Sequence, residues 1–222
     1  MNEQPHADKP VLACTGLARS FREGGLDVTV LRRVDLAVRA GQQIAIVGSS
    51  GSGKSTLLSL IAGVVTPQKG TITINDQLVS ALNGADRDRF RADHIGFIYQ
   101  MFNLIPYLSV VENVTLPCRF SLRRRERAAA RSSSFEAEAM RLLKSLGLDG
   151  TRVRKKPAIE LSVGQQQRAA AARALIGAPE IIIADEPTSS LDIDYRKAFI
   201  RLLFQECDPK ETTLIFVSHD TT

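Results

Sequence analysis

The segment Gly48-Ser49-Ser50-Gly51-Ser52-Gly53-Lys54-Ser55-Thr56 combines glycines, a lysine and hydroxyls at a spacing that suits a polyphosphate. Its glycines let backbone N–H groups turn inward toward phosphate oxygens. A helix starting at Lys54 would aim the positive end of its dipole at the same point. The Lys54 ammonium would bridge β- and γ-phosphates, and the Ser55 hydroxyl would ligate Mg²⁺. Farther along, Ile181-Ile182-Ile183-Ala184 is followed at once by Asp185-Glu186. A buried strand of this kind delivers Asp185 to its C-terminal edge as a second Mg²⁺ ligand. Glu186, beside it, is placed to polarise an attacking water as a general base. Alone, such a run is an ordinary strand end with solvated acids. Downstream of the glycine-rich loop it completes the chemistry of a nucleoside triphosphatase. A third segment, Leu161-Ser162-Val163-Gly164-Gln165, opens an Ala-rich stretch. Ser162 suits a helix N-cap there, and Gly164 permits close backbone approach.

These groups need a frame to hold them. Loose alternation with β-branched residues predicts strands at 11–21 and 28–38, separated by the turn signal Gly24-Gly25. The apolar run at 44–47 ends at Gly48 and reads as a buried strand, followed by a helix over 54–62 that stops at Gly63. Strands are predicted at 71–74 and 95–99, with a turn at Asn75-Asp76 and a short helix over 86–92. Residues 121–146 are rich in Arg, Ala, Glu and Leu and favour helix, 148–157 form a polar connection, and 164–176 are helical again. Strand character returns at 181–184 and 213–218, around a helix over 192–206. The pattern is an α/β core interrupted by a helical insertion.

Bulk properties narrow the class. A chain of 222 residues can bury a real core, and its 44% hydrophobic and 24% charged residues are ordinary for a globular domain. No apolar run approaches the ~20 residues that span a bilayer. Residues 1–10 are polar, carry no secretory h-region and read as a disordered lead-in. Cys14, Cys118 and Cys207 are far apart, which suggests buried reduced thiols and neither a disulfide framework nor a zinc site. The net charge of +5 suits an anionic partner such as nucleotide, lipid headgroups or nucleic acid, without choosing among them. The run Arg123, Arg124, Arg125, Arg127 and Arg131 reads as a solvated helix face, with contact to anionic headgroups as the second reading.

Taken together, the loop at 48–56, Leu161-Ser162-Val163-Gly164-Gln165-Gln166-Gln167-Arg168 and Asp185-Glu186-Pro187-Thr188-Ser189-Ser190-Leu191-Asp192 resemble the ATP-binding cassette (ABC) ATPases from about Val11 onward. The resemblance implies a P-loop NTPase core with a RecA-like, mainly parallel sheet, an N-terminal antiparallel β subdomain and an inserted helical subdomain. It places the ABC domain at 11–222, with core residues 11–100 and 171–222 and helical residues 101–170. It implies two copies facing head to tail around two ATP molecules. Each ATP would lie between the loop Gly48, Ser49, Ser50, Gly51, Ser52, Gly53, Lys54, Ser55 and Thr56 of one copy and Ser162, Gly164 and Gln165 of the other. Gln100 resembles the Q-loop glutamine, which ligates Mg²⁺ or orders the attacking water. Asp192 lies in the D-loop that reaches across the dimer, His219 resembles the switch histidine that holds the γ-phosphate, and Phe21 sits where an aromatic residue stacks on adenine.

Residues 95–114 resemble the subgroup of lipoprotein-release, macrolide-export and FtsE-type ATPases. That implies an integral-membrane permease whose coupling helix docks on the apolar, partly aromatic surface at 101–107, with or without a membrane-fusion protein. The chain would then lie in the cytoplasm, peripheral to the inner (plasma) membrane. Val163 departs from the family's usual glycine and could tune closure. The chain ends three residues after His219, where relatives continue, so a short form or a truncated sequence with an uncovered sheet edge is expected. A soluble ABC ATPase acting on nucleic acid and an importer ATPase are the competing readings. The absence of a zinc hook, long coiled coil or second cassette counts against nucleic acid.

Overall fold

In the computed structural model, residues 9–187, 193–207 and 212–218 are described. The chain begins with a long hairpin. Strands β1 (Pro10–Glu23) and β2 (Leu26–Arg39) run antiparallel across Gly24 and Gly25, whose φ values of +57° and +87° suit the twist of a two-residue hairpin. On its other edge β1 pairs with β4 (Lys69–Ile74), which turns through Asn75 and Asp76, both at positive φ, into the short β5 (Gln77–Leu78). The sheet order is β2-β1-β4-β5. Gly70 is required where β4 crosses the bulge in β1, since a Cβ there would lie 2.4 Å from the Thr15 carbonyl oxygen.

The second sheet is parallel, ordered β3-β8-β7-β6, from β3 (Gln43–Val47), β6 (Ile95–Ile98), β7 (Ile181–Asp185) and β8 (Thr213–Ser218). Along β7, Ile181 and Ile183 enter one apolar cluster with Leu12, Leu58, Ile61, Ile72 and Val217. Ile182 and Ala184 enter another with Val110, Val114, Leu143, Ala169 and Phe199. The strand therefore separates two cores and is apolar on both faces, as a continuous run of β-branched residues requires. The expectation for 44–47 fails in one respect. β3 is a strand but not a buried one: its residues are exposed or half-exposed, because it stands at the end of the described strand order.

Helix α1 (Lys54–Ile61) follows β3, and α2 (Gly84–His94), capped by the Asn83 side chain, precedes β6. Between β6 and β7 come α3 (Val110–Thr115), α4 (Pro117–Phe120), α5 (Leu122–Arg131), α6 (Phe135–Ser145), α7 (Thr151–Lys155) and α8 (Val163–Leu175); α9 (Ile193–Glu206) follows β7. The continuous helix predicted over 121–146 is two helices. Ser132-Ser133-Ser134 interrupts it, and Ser134 caps α6 by accepting the Ala137 N–H at 3.1 Å. The alanines of α8 bring its backbone against β6, where a Cβ on Gly96 would lie 2.2 Å from the Ala174 oxygen. Among the described residues, no helix is long and apolar enough to cross a membrane. The three cysteines are buried free thiols, each pushed up by desolvation to about 11 or 12.

The arginines of α5 are a solvated face only in part: Arg123, Arg125 and Arg131 are exposed, whereas Arg124 is buried and Arg127 part-buried. Arg124 is buried and donates to the Ile176 and Ala174 oxygens at 2.8 and 2.6 Å, capping the C-terminal end of α8. Burial lowers its pKa to about 10. Arg123 and Arg127 pair with Glu180, which His94 Nδ1 also approaches at 3.0 Å. Arg125 lies over the Phe135 ring. Desolvation alone would raise the Glu180 pKa, but the hydrogen bonds from His94 and Arg123 outweigh it and hold the carboxyl at about 2.

Two predictions follow from this packing. Gly96→Ala forces α8 off β6 and should cost about 1–3 kcal/mol, measurable as a lowered urea midpoint. Glu180 titrates normally near 4.5 when unfolded and near 2 when folded, so its contribution is complete above pH 4.5 and is lost as pH falls toward 2. Urea midpoints across that window should fall less steeply for Glu180→Gln than for wild type.

Candidate active site

The loop between β3 and α1 turns back on itself through glycine. Gly51 and Gly53 have φ of +75° and +89°, and a Cβ on Gly53 would come within 2.9 Å of the Leu31 side chain. At Gly48 a Cβ would lie 2.9 Å from Ser52 Oγ. Lys54 opens α1 but folds its side chain back into the loop, where Nζ donates to the Gly48 and Ser49 carbonyl oxygens at 2.7 and 2.8 Å. Its ammonium is buried, so the loop encloses a fixed positive charge.

A cavity of about 350 Å³ opens over this charge. Ser50, Gly51, Ser52, Ser55 and Thr56 form its loop side, and Gln100 and Glu186 also line it. Ser55 Oγ donates to Asp185 Oδ1 at 3.2 Å, although the two residues are 130 positions apart. The parallel sheet makes this meeting possible: β3 and β7 run the same way, so the loop after one and the acids ending the other emerge at one edge. Glu186, just past β7, has φ +46°, a left-handed conformation that costs a non-glycine residue about 1–2 kcal/mol. This strained backbone sits at the cavity, a common location for such strain.

Other expected residues lie elsewhere. Ser162 and Gln165 form a reciprocal capping box at the start of α8, and neither they nor Gly164 line the cavity. Ser162 is exposed, Val163 beside it is 49% exposed, and open space surrounds the position of a Cβ on Gly164. Phe21 is on β1, part-exposed, with the Arg19 guanidinium 4.9 Å above its ring, and does not line the cavity. Asp192, with Ser190 and Leu191, and His219 lie outside the described residues.

Three contributors were not anticipated. Val30 lines the cavity from β2. Gln167, fully buried, donates to the Pro187 oxygen and ties α8 to the turn after Glu186. Arg173 donates to the backbone after Gln100. An arginine set within the alanine run 169–174 is the signal that could have found Arg173.

A second concavity, about 420 Å³, lies among α2, β6, α4, α5 and α8. Phe97, Tyr99, Leu116, Pro117 and Phe120 give it apolar walls, and the Phe97 and Tyr99 rings stack at 4.1 Å. Of residues 101–107 only Asn103 lines it, while Met101 and Tyr107 stand 80% and 79% exposed.

The family described as ABC transporter matches residues 31–189. The lipoprotein-releasing system ATP-binding protein LolD of Psychrobacter arcticus is 41% identical over 95% of this chain and 89% of its own length. LolD of Hydrogenovibrio crunogenus is 42% identical over 95% and 87%. Among solved structures, a dimeric post-hydrolysis state of the ATP-binding cassette MJ0796 bound to ADP and Pi superposes with a TM-score of 0.81 at 34% identity, covering 94% of this chain and 88% of that one.

Removing the enclosed cation tests the loop directly. Lys54→Ala should abolish ATP turnover in a phosphate-release assay, and retained turnover would overturn the assignment of the loop as the phosphate site.

Proposed function

This chain belongs to the ABC transporter ATP-binding family, and on that premise we propose that its ATP-driven closure onto a second copy works a membrane permease in lipoprotein release. It is an ATPase subunit of a transporter and binds ATP. The observation that carries the finer reading is the separation of parts. Lys54, Ser55, Gln100 and Glu186 surround one cavity, while Ser162 and Gly164 stand at a helix N-terminus that does not line it.

In this reading the loop N–H groups and Lys54 bind the β- and γ-phosphates. Ser55 and Asp185 offer oxygen donors 3.2 Å apart at the cavity edge, which fits Mg²⁺, an ion usually held by one or two carboxylates together with phosphate oxygens. When bound, Mg²⁺ neutralises charge on the transferring phosphoryl group. Glu186 accepts a proton from the attacking water, and Gln100 orients that water. Ser162 and Gly164, with Gln165 fixing the cap, contact the γ-phosphate held by the partner copy, so neither copy completes a site alone. Phe21 stacks on adenine after releasing Arg19, His219 holds the γ-phosphate and Asp192 reaches across the dimer. Catalysis is then mainly positioning and charge stabilisation.

Residues 101–170 are assigned to a helical lobe and 11–100 with 171–222 to the ATP-binding core. The surface expected to receive the permease's coupling helix is 101–107; the groove walled by Phe97, Tyr99, Leu116, Pro117 and Phe120 adjoins it at Asn103, and the proposed dock extends into that groove. Its apolar walls and aromatic pair suit the apolar face of a short helix. The chain thereby sits at the cytoplasmic face of the inner membrane, held by protein contact. The relatives named for lipoprotein release support that role over macrolide export or mechanotransmission.

Glu186→Gln should bind ATP, hydrolyse it very slowly and accumulate as a dimer with ATP and Mg²⁺. Size-exclusion chromatography with light scattering reads the outcome, and a variant that stays monomeric at high concentration counts against the two-copy site.

A further inference from the structure

Immediately after Gln100 the backbone makes two overlapping tight turns. The Phe102 N–H donates to the Tyr99 oxygen at 2.9 Å, and the Asn103 N–H donates to the Met101 oxygen at 2.6 Å. Phe102 and Asn103 both take left-handed φ, +59° and +48°, in succession. Asparagine tolerates that region, whereas phenylalanine is strained in it. Asn103 suits the bend but Phe102 does not, so contacts from outside the turn help to hold it.

One side chain does so. Arg173, near the C-terminal end of α8, donates from Nη2 to the Phe102 oxygen and from Nη1 to the Asn103 oxygen, each at 2.6 Å. The planar fork of the guanidinium meets the two carbonyls with two separate nitrogens, whereas lysine would have to reach both from one. Farther along the loop, buried Asn113 plays a matching part. It donates to the Ile105 oxygen at 3.0 Å and accepts the Ile105 N–H at 2.7 Å, which fixes the segment beyond the bend. Arg173 also lines the 420 Å³ groove, and Gln100 lines the nucleotide cavity. The bend at 101–103 therefore lies between the two concavities, and Arg173, like Tyr99 and Asn103, touches both the groove and the bend.

We propose that Arg173 is a positioning residue for ATP hydrolysis, setting the bend that aims Gln100 into the nucleotide cavity. The inference rests on Gln100 acting at the attacking water. Arg173 touches no nucleotide, so it acts on turnover rather than on ATP binding. A misplacement of about 1 Å in a positioned group can cost ~10²-fold in rate.

A double-mutant cycle on the full chain tests this, with steady-state ATPase measured for wild type, Arg173→Lys, Gln100→Ala and the double variant. The expected result is a kcat lowered by roughly tenfold or more in each single variant, with KM for ATP within about twofold of wild type for Arg173→Lys. The double variant should be no slower than the slower single one, because Arg173 has nothing left to position. A multiplicative loss in the double variant, a normal kcat in Arg173→Lys, or a raised KM at unchanged kcat would overturn the proposal. If Gln100→Ala turns over normally, the reading of Gln100 fails and this inference fails with it; a slow Gln100→Ala with multiplicative losses sinks the Arg173 role alone. Should Arg173→Lys not fold, Arg173→Gln takes its place under the same criteria. Failure of both to fold would make Arg173 a purely structural residue and end the proposal.

Discussion

Strand β7 must be apolar on both faces, and much else follows from that. Its isoleucines are fully buried, alternating between a core shared with α1 and the antiparallel sheet and a core shared with the inserted helices. Each such side chain contributes roughly 1.5–3 kcal/mol on leaving water. No polar group can be accommodated until the strand leaves the core, so the first acids appear at Asp185 and Glu186, at the edge where the glycine-rich loop emerges from β3. The Ser55–Asp185 hydrogen bond is the product of that geometry. The bulk of the two cores holds it in place, since β7 cannot slide by one residue without exchanging the faces of every isoleucine.

A second constraint works on the backbone. The helices between β6 and β7 are short, so their ends and connections present many N–H and C=O groups that regular structure does not pair. Arg124, Arg173 and Asn113 take up a set of them: the end of α8, the bend after Gln100 and the loop leading to α3. All are long or forked polar side chains largely withdrawn from water, and each bonds mainly to main-chain oxygens. The helical region is thus attached to the sheet through directional hydrogen bonds as well as through apolar packing.

Local chemistry was legible wherever it depended on residue type and spacing. The loop at 48–56, the acids at 185–186, the Ser162 cap and the Gly24-Gly25 and Asn75-Asp76 turns all follow from nearest-neighbour rules. Legibility failed where a residue's partner lies far along the chain. Arg124 and Arg127 read as part of a solvated face because periodicity says nothing of the carbonyls ending α8 or of Glu180 beyond it, which draw them in. The strand at 44–47 read as buried because its composition matches β7, yet its place at the end of the strand order leaves it half-exposed. The predicted helix over 121–146 broke at three serines that compete with the helix for backbone hydrogen bonds.

By itself the sequence determined the α/β class, and it named the glycine-rich loop and the acids that the fold brings to one edge. These depend on glycine's freedom at positive φ, on the burial of β-branched runs and on the charge of lysine and carboxylate, all properties of single residues and their neighbours. Only the tertiary structure decided that Ser55 meets Asp185, that Ser162 stands apart from the cavity and that a guanidinium from α8 shapes the bend after Gln100. Each of those is a contact across tens of residues, set by strand order and by the close approach of α8 to β6, and no local pattern encodes the order in which strands assemble.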